Sequence, residues 1–192
     1  MKFLKCPVVV IVTGLACFHT SSSNKLSKQM TEGEKITQAG KLLRRKGEPL
    51  VLLWGGEIPS RLSNRTCWRT TYDEMGHSGA IRHSVESVVF GDPSGQGGVD
   101  QMTKLDSVLT LKEVDSIATL LVDPIAKNTL GNMVRGNYHI LFADPWCIII
   151  RRASSHGSPV CTVWVPAGTV LFGHIACRAA FKEMCANSAD CK

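Results

Sequence analysis

The chain has 192 residues and a mass of 20.9 kDa, which fits one domain and leaves little room for two. Apolar residues make up 44% and charged residues 20%, enough for one core and unlike a disordered or collagen-like chain. The formal charge of +6 is modest and gives no ground for nucleic-acid binding.

Lys2 and Lys5 precede an apolar stretch, Pro7 to Phe18, and small polar residues follow from Thr20 to Ser23. The stretch is shorter than the ~20 residues that span a bilayer, and the layout is that of a secretory signal peptide. Cleavage after Ala16 and after Ser22 both fit; the boundary is set at residue 22, with the mature domain over 23–192. Its removal brings the charge from +6 to +4 and leaves six cysteines: Cys67, Cys147, Cys161, Cys177, Cys185 and Cys191. An even number in an oxidising compartment reads as three disulfides, with 15 possible connectivities. Asn64-Arg65-Thr66 is a glycosylation sequon.

Glu32 to Arg45 reads as a helix, with Ile36, Ala39, Leu42 and Leu43 near one face. Acids at its start and Arg44, Arg45 and Lys46 at its end suit the macrodipole, and Gly47 supplies a stop. From residue 50 the texture changes to short runs rich in Val, Ile, Leu, Thr and aromatics, separated by turn residues. They are Leu50–Trp54, Thr66–Tyr72, Ala80–Phe90, Ser107–Val114, Ile117–Val122, Tyr138–Ala143, Cys147–Arg152 and Val160–Val165. Eight such strands predict a sandwich or an up-and-down barrel. Gly91–Gly98 reads as a loop. A closing helix over Val170–Met184 would turn Phe172, Ile175, Ala179 and Met184 to a core. A closed barrel of eight strands either fills with side chains or holds one small ligand.

Enzyme signatures are missing: the chain has no H-E-x-x-H and no G-x-S-x-G. No cysteine pair has C-x-x-C spacing, so a zinc site is not expected despite six histidines. Catalytic residues, metals and cofactors are therefore not expected.

The C-terminal third is the specific part. Gly136–Arg151 runs GNYHILFADPWCIIIR. Cys161-Thr162-Val163-Trp164-Val165 follows, then Cys177–Cys185 as CRAAFKEMC, and the chain ends in Ala189-Asp190-Cys191-Lys192. This resembles the salivary lipocalins of ticks, the family that includes the histamine-binding proteins. In that family a strand of the type Y-x-x-L-Y-x-D-x-x-C-x-V leads to a strand ending in Leu-Trp, then to a cysteine-bearing helix and a final Asp-Cys. Cys67 with Trp68 resembles the family's early cysteine, and Leu50–Trp54 loosely stands in for the general G-x-W signature. The resemblance implies an all-β fold: an eight-stranded antiparallel lipocalin barrel with a short N-terminal helix and a C-terminal helix packed on the barrel. It also implies the pairings Cys67–Cys191, Cys147–Cys177 and Cys161–Cys185.

The family's amine-binding signature is Cys-Asp-Val/Ile/Leu, Glu-Leu-Trp/Tyr and a later Cys. Here Cys147-Ile148-Ile149 is followed after 12 residues by Thr162-Val163-Trp164, and after 12 more by Cys177. The frame matches, but Ile148 and Thr162 stand where the acids belong. A buried ammonium without a counter-charge is costly, so an amine pocket needs carboxylates or an aromatic cage. Strand alternation places Ile148, Ile150 and Arg152 on one face and Thr162 with Trp164 on the next strand's matching face. Such a wall suits a fatty acid or eicosanoid better than histamine or serotonin, although Glu86, Glu113 or Asp115 on other strands remain available to an amine.

The resemblance thus implies a secreted monomer that captures a small host mediator, amine or lipid, without chemistry and without binding nucleic acid or membrane. Trp164 is the leading pocket residue, with Trp68 and Trp54 behind it. The alternative is a module that acts on host defence proteins through its outer surface, using the Gly91–Gly98 loop and the basic helix end.

Overall fold

The computed structural model describes residues 30–55, 66–76, 79–89, 101–152, 161–172 and 175–185. The signal segment, the Asn64 sequon, the Gly91–Gly98 loop and Cys191 lie outside them.

Helix α1 spans Glu32–Leu43 and opens with a reciprocal cap. The Glu34 amide donates to Thr31 Oγ1 at 3.2 Å, and the Thr31 amide donates to the Glu34 carboxylate at 2.8 Å. The helix ends two residues before the predicted boundary. Gly47, expected as its stop, adopts φ 74° four residues beyond Leu43.

Eight strands follow: β1 Leu50–Gly55, β2 Thr66–Met75, β3 Ile81–Val89, β4 Gln101–Val114, β5 Ile117–Pro124, β6 Gly136–Ala143, β7 Ile148–Arg152 and β8 Cys161–Pro166. Each pairs antiparallel with its sequence neighbours, and β8 closes on β1 to complete a barrel. Strand β4 begins six residues earlier than the alternation suggested. A short helix, α2 (Thr129–Val134), interrupts the β5–β6 connection and was not foreseen.

Helix α1 plugs one end of this barrel. Its Ala39, Leu42 and Leu43 share a buried cluster with Leu50, Ile81, Leu109, Leu120, Ile140 and Ile148. Each fully buried aliphatic side chain of this kind stabilises the fold by about 1.5–3 kcal/mol. Two polar tethers fix the plug at the same end: Glu32 Oε2 accepts from the Ala118 amide at 2.7 Å, and Arg45 donates to the Pro145 carbonyl at 2.8 Å. Burial would raise the Glu32 pKa, but the Lys35 hydrogen bond, the Ala118 amide and the Lys35 charge together hold it below the usual glutamate value. The turns β2–β3, β4–β5 and β6–β7 lie at this end. Strands β1, β3, β5 and β7 finish at the other, where α2 sits.

The predicted C-terminal helix is two elements, a 3-10 turn at Ala167–Phe172 and helix α3 at Ile175–Cys185. The expected apolar face is corrected in part: Met184 packs against the cysteine-bearing cluster as expected, and the Phe172 side chain lies outside the described residues. Ile175 is 85% exposed and Ala179 is exposed, whereas Cys177, Ala180 and Cys185 are buried. Disulfides set the phase of this helix. Cys147 bonds Cys177 and Cys161 bonds Cys185, with Cα–Cα separations of 6.3 and 6.1 Å. Their sulfurs join Ile149, Val163 and Val165 in a second buried cluster on the outer face of β7 and β8. This explains the unbroken Ile148-Ile149-Ile150 run, since the strand is covered on both faces. The third implied pairing, Cys67–Cys191, has one partner outside the described residues.

Candidate functional site

Inside the barrel lies a cavity of about 100 Å³. All eight strands contribute to its wall, with Leu43 of α1 at one end and Val134 of α2 at the other. Trp68, Ile148, Ile150 and Trp164 line it. The register makes Ile148 the cross-strand neighbour of Trp164 and Ile150 that of Thr162, so β7 and β8 present one continuous apolar and aromatic surface.

The polar groups of this wall are few. Thr70 and Tyr138 supply hydroxyls, and the two indoles supply N–H groups. The Tyr138 hydroxyl donates to the Val134 carbonyl at 2.8 Å, and the Trp164 indole donates to Thr162 Oγ1 at 3.1 Å. Burial pushes the Tyr138 phenol above its ordinary pKa, against the opposing charge of Arg152. The Trp68 indole nitrogen is buried and has no hydrogen-bond partner.

Behind Thr70 stands His83, 1% exposed. Its Nε2 lies 2.7 Å from the Leu43 carbonyl oxygen and its Nδ1 2.9 Å from Thr70 Oγ1. Burial pulls its pKa down, against the Leu43 hydrogen bond and the nearby Asp73 carboxylate, so the ring is neutral. A carbonyl can only accept, so Nε2 carries the proton and Nδ1 receives the Thr70 hydroxyl's. The C-terminus of α1 is thereby joined through one imidazole to the cavity wall.

The other predicted residues fall elsewhere. Arg152 does not line the cavity. Its guanidinium donates to the Met133 and Arg135 carbonyls at 2.9 and 2.8 Å and sits 5.9 Å from the Tyr138 ring centroid, holding the C-terminal end of α2. Thr162 serves the Trp164 indole. Trp54 has its backbone in β1 opposite Val163, and its side chain lies outside the described residues. Glu86 lies on the face opposite Val85 and pairs with Arg69, while Glu113 and Asp115 are exposed. None of the described lining residues carries a charge.

Sequence reasoning passed over Thr70, His83 and Tyr138. Strand alternation carried a signal for the first two. Thr70 follows Trp68 by two, and His83 lies between Ile81 and Val85 on one face. The Asp144 carboxylate accepts from the Trp146 and Cys147 amides, both at 2.7 Å, and shapes the β6–β7 turn.

A solved structure of Japanin from Rhipicephalus appendiculatus, bound to cholesterol, superposes with a TM-score of 0.59. It is 15% identical, and the match covers 75% of this chain and 90% of that one. The fold is that of a lipocalin. No family model and no curated sequence matches the chain, so the likeness rests on the lipocalin architecture alone.

Proposed function

We propose that this lipocalin is secreted and sequesters a small, largely apolar lipid mediator rather than a biogenic amine. One observation carries the reading: the described wall of the cavity is aromatic and aliphatic and holds no carboxylate. An ammonium ion placed there would lose its hydration without gaining a counter-charge, at a cost of several kcal/mol. The carboxylates once available to it, Glu86, Glu113 and Asp115, do not line the cavity.

The other end of the charge scale is equally unserved. Arg152, the candidate partner for a fatty-acid carboxylate, has committed its guanidinium to backbone carbonyls. Recognition therefore rests on the apolar body of the ligand and its fit against Trp164, Trp68 and the isoleucines. Japanin, of similar fold and bound to cholesterol, supports the reading. The two disulfides fit an oxidising compartment.

The test is calorimetric titration of the refolded protein with histamine, serotonin, leukotriene, arachidonate and cholesterol. Binding of at least one lipid well below micromolar, with no heat from histamine, is expected. Tight histamine binding, or no binding by any lipid, overturns the reading.

A further inference from the structure

We infer that the Trp68–Thr70 face of β2 is a subsite for a hydroxyl group, so that the preferred ligand is a neutral apolar alcohol. This rests on the reading of the cavity as a lipid site and adds the polar group by which the lipid is oriented.

The argument is one of counting protons. Trp68 and Thr70 are two residues apart on one strand and both line the cavity. The Trp68 indole N–H can only donate, and it is buried without a partner. A buried donor left unpaired is costly, and native interiors rarely tolerate one. Thr70 ordinarily both donates and accepts, but here its single proton is engaged. His83 Nε2–H is bound to the Leu43 carbonyl, so Nδ1 is an acceptor and takes the Thr70 proton. The Thr70 oxygen therefore has only lone pairs to offer. One strand face thus carries a residue with an unmet donor, Trp68, and two positions on a residue with an acceptor to offer, Thr70.

Few ligand groups satisfy both. A carboxylate, ketone or ester only accepts and leaves Thr70 unmet. An ammonium only donates, and it brings a charge that no described lining residue balances. A hydroxyl accepts from the indole and donates to the threonine, and it is uncharged.

The experiment displaces N-phenyl-1-naphthylamine from the refolded protein with matched probes: cholesterol against cholest-5-ene, and dodecan-1-ol against dodecane and dodecanoate. A wall without hydrogen-bonding specificity favours the hydrocarbon of each pair, because it is the more poorly hydrated. A subsite for hydroxyl reverses that order, with the alcohol bound about tenfold more tightly than its hydrocarbon. Trp68→Phe and Thr70→Val each cut the alcohol preference about fivefold, while Thr70→Ser keeps it. In the ¹⁵N-labelled wild-type protein the Trp68 indole N–H resonance moves with dodecan-1-ol and stays with dodecane, a readout that needs no variant to fold. If each hydrocarbon binds as well as or better than its alcohol, the hydroxyl subsite is wrong and the lipid reading survives. If no probe of either kind displaces the dye, both fall.

Discussion

Acidification should loosen this protein through one imidazole. His83 is 1% exposed and neutral, bridging the Leu43 carbonyl of α1 and the Thr70 hydroxyl of β2. Its folded pKa is depressed by burial, whereas the unfolded chain restores it to about 6.5. Below that value the unfolded state binds a proton that the folded state refuses. Stability contributed by the neutral ring is therefore complete above about pH 6.5 and declines as pH falls toward the folded pKa. The slope for one proton is about 1.4 kcal/mol per pH unit, so the loss between pH 6.5 and 5 is bounded at about 2 kcal/mol. His83→Gln keeps a donor for Leu43 and an acceptor for Thr70 without titrating, and its stability should be flat over that window. Glu32 does not confuse the measurement. Its pKa is held below the usual value, so its contribution is lost only as pH falls below about 4.5. Urea unfolding followed by tryptophan fluorescence, at half-unit steps from pH 7.5 to 5, reads both proteins. A wild-type midpoint that does not fall, or the same fall in His83→Gln, would refute the reasoning.

Replacing Cys147 and Cys177 together by Ala opens a loop of sequence separation 30 and should cost about 3–4 kcal/mol from loop-closure entropy, read as a lower urea midpoint under non-reducing conditions. Gly131→Ala drives a Cβ against the Ala126 carbonyl oxygen in the segment leading into α2, and should cost about 1–3 kcal/mol in thermal unfolding. Arg152→Met strips the Met133 and Arg135 carbonyls of their donor, so hydrogen exchange at the Asn132 and Arg135 amides should quicken while α1 is unchanged. Ile148→Ala, at a side chain 2% exposed, should cost about 2–5 kcal/mol and enlarge the cavity, checked by urea unfolding and by uptake of a bulkier lipid.

The strands were legible where a buried face alternates with a less buried one, as in β8. The first six residues of β4 were not. Met102, Thr103, Lys104 and Asp106 are exposed, and only Leu105 is buried, so the pattern there carries almost no period. That segment is a strand because β3 pairs with it, from Ile81 opposite Leu109 to Val89 opposite Gln101. Helix α2 escaped for a similar reason. Its six residues include Gly131 and Asn132, both weak helix formers, and its stability comes from the Asn128 cap and from Arg152 on a distant strand. Helix α3 was found, but two sulfur bonds turn its cysteines inward and leave Ile175 in solvent. Of the residues that line the cavity, Ile148, Ile150 and Trp164 were traceable by strand alternation. The bond from His83 to Leu43 was not, since it joins positions 40 residues apart in sequence. The bonds of Arg152 to the Met133 and Arg135 carbonyls were not legible either, because the helix they hold was not foreseen.

The plug formed by α1 makes the barrel a blind vessel. Its floor is built from the same leucines that hold the domain together, so a cargo cannot pass that way without unfolding the core. Substitutions among these leucines would therefore be felt by the closed end and by the core at once.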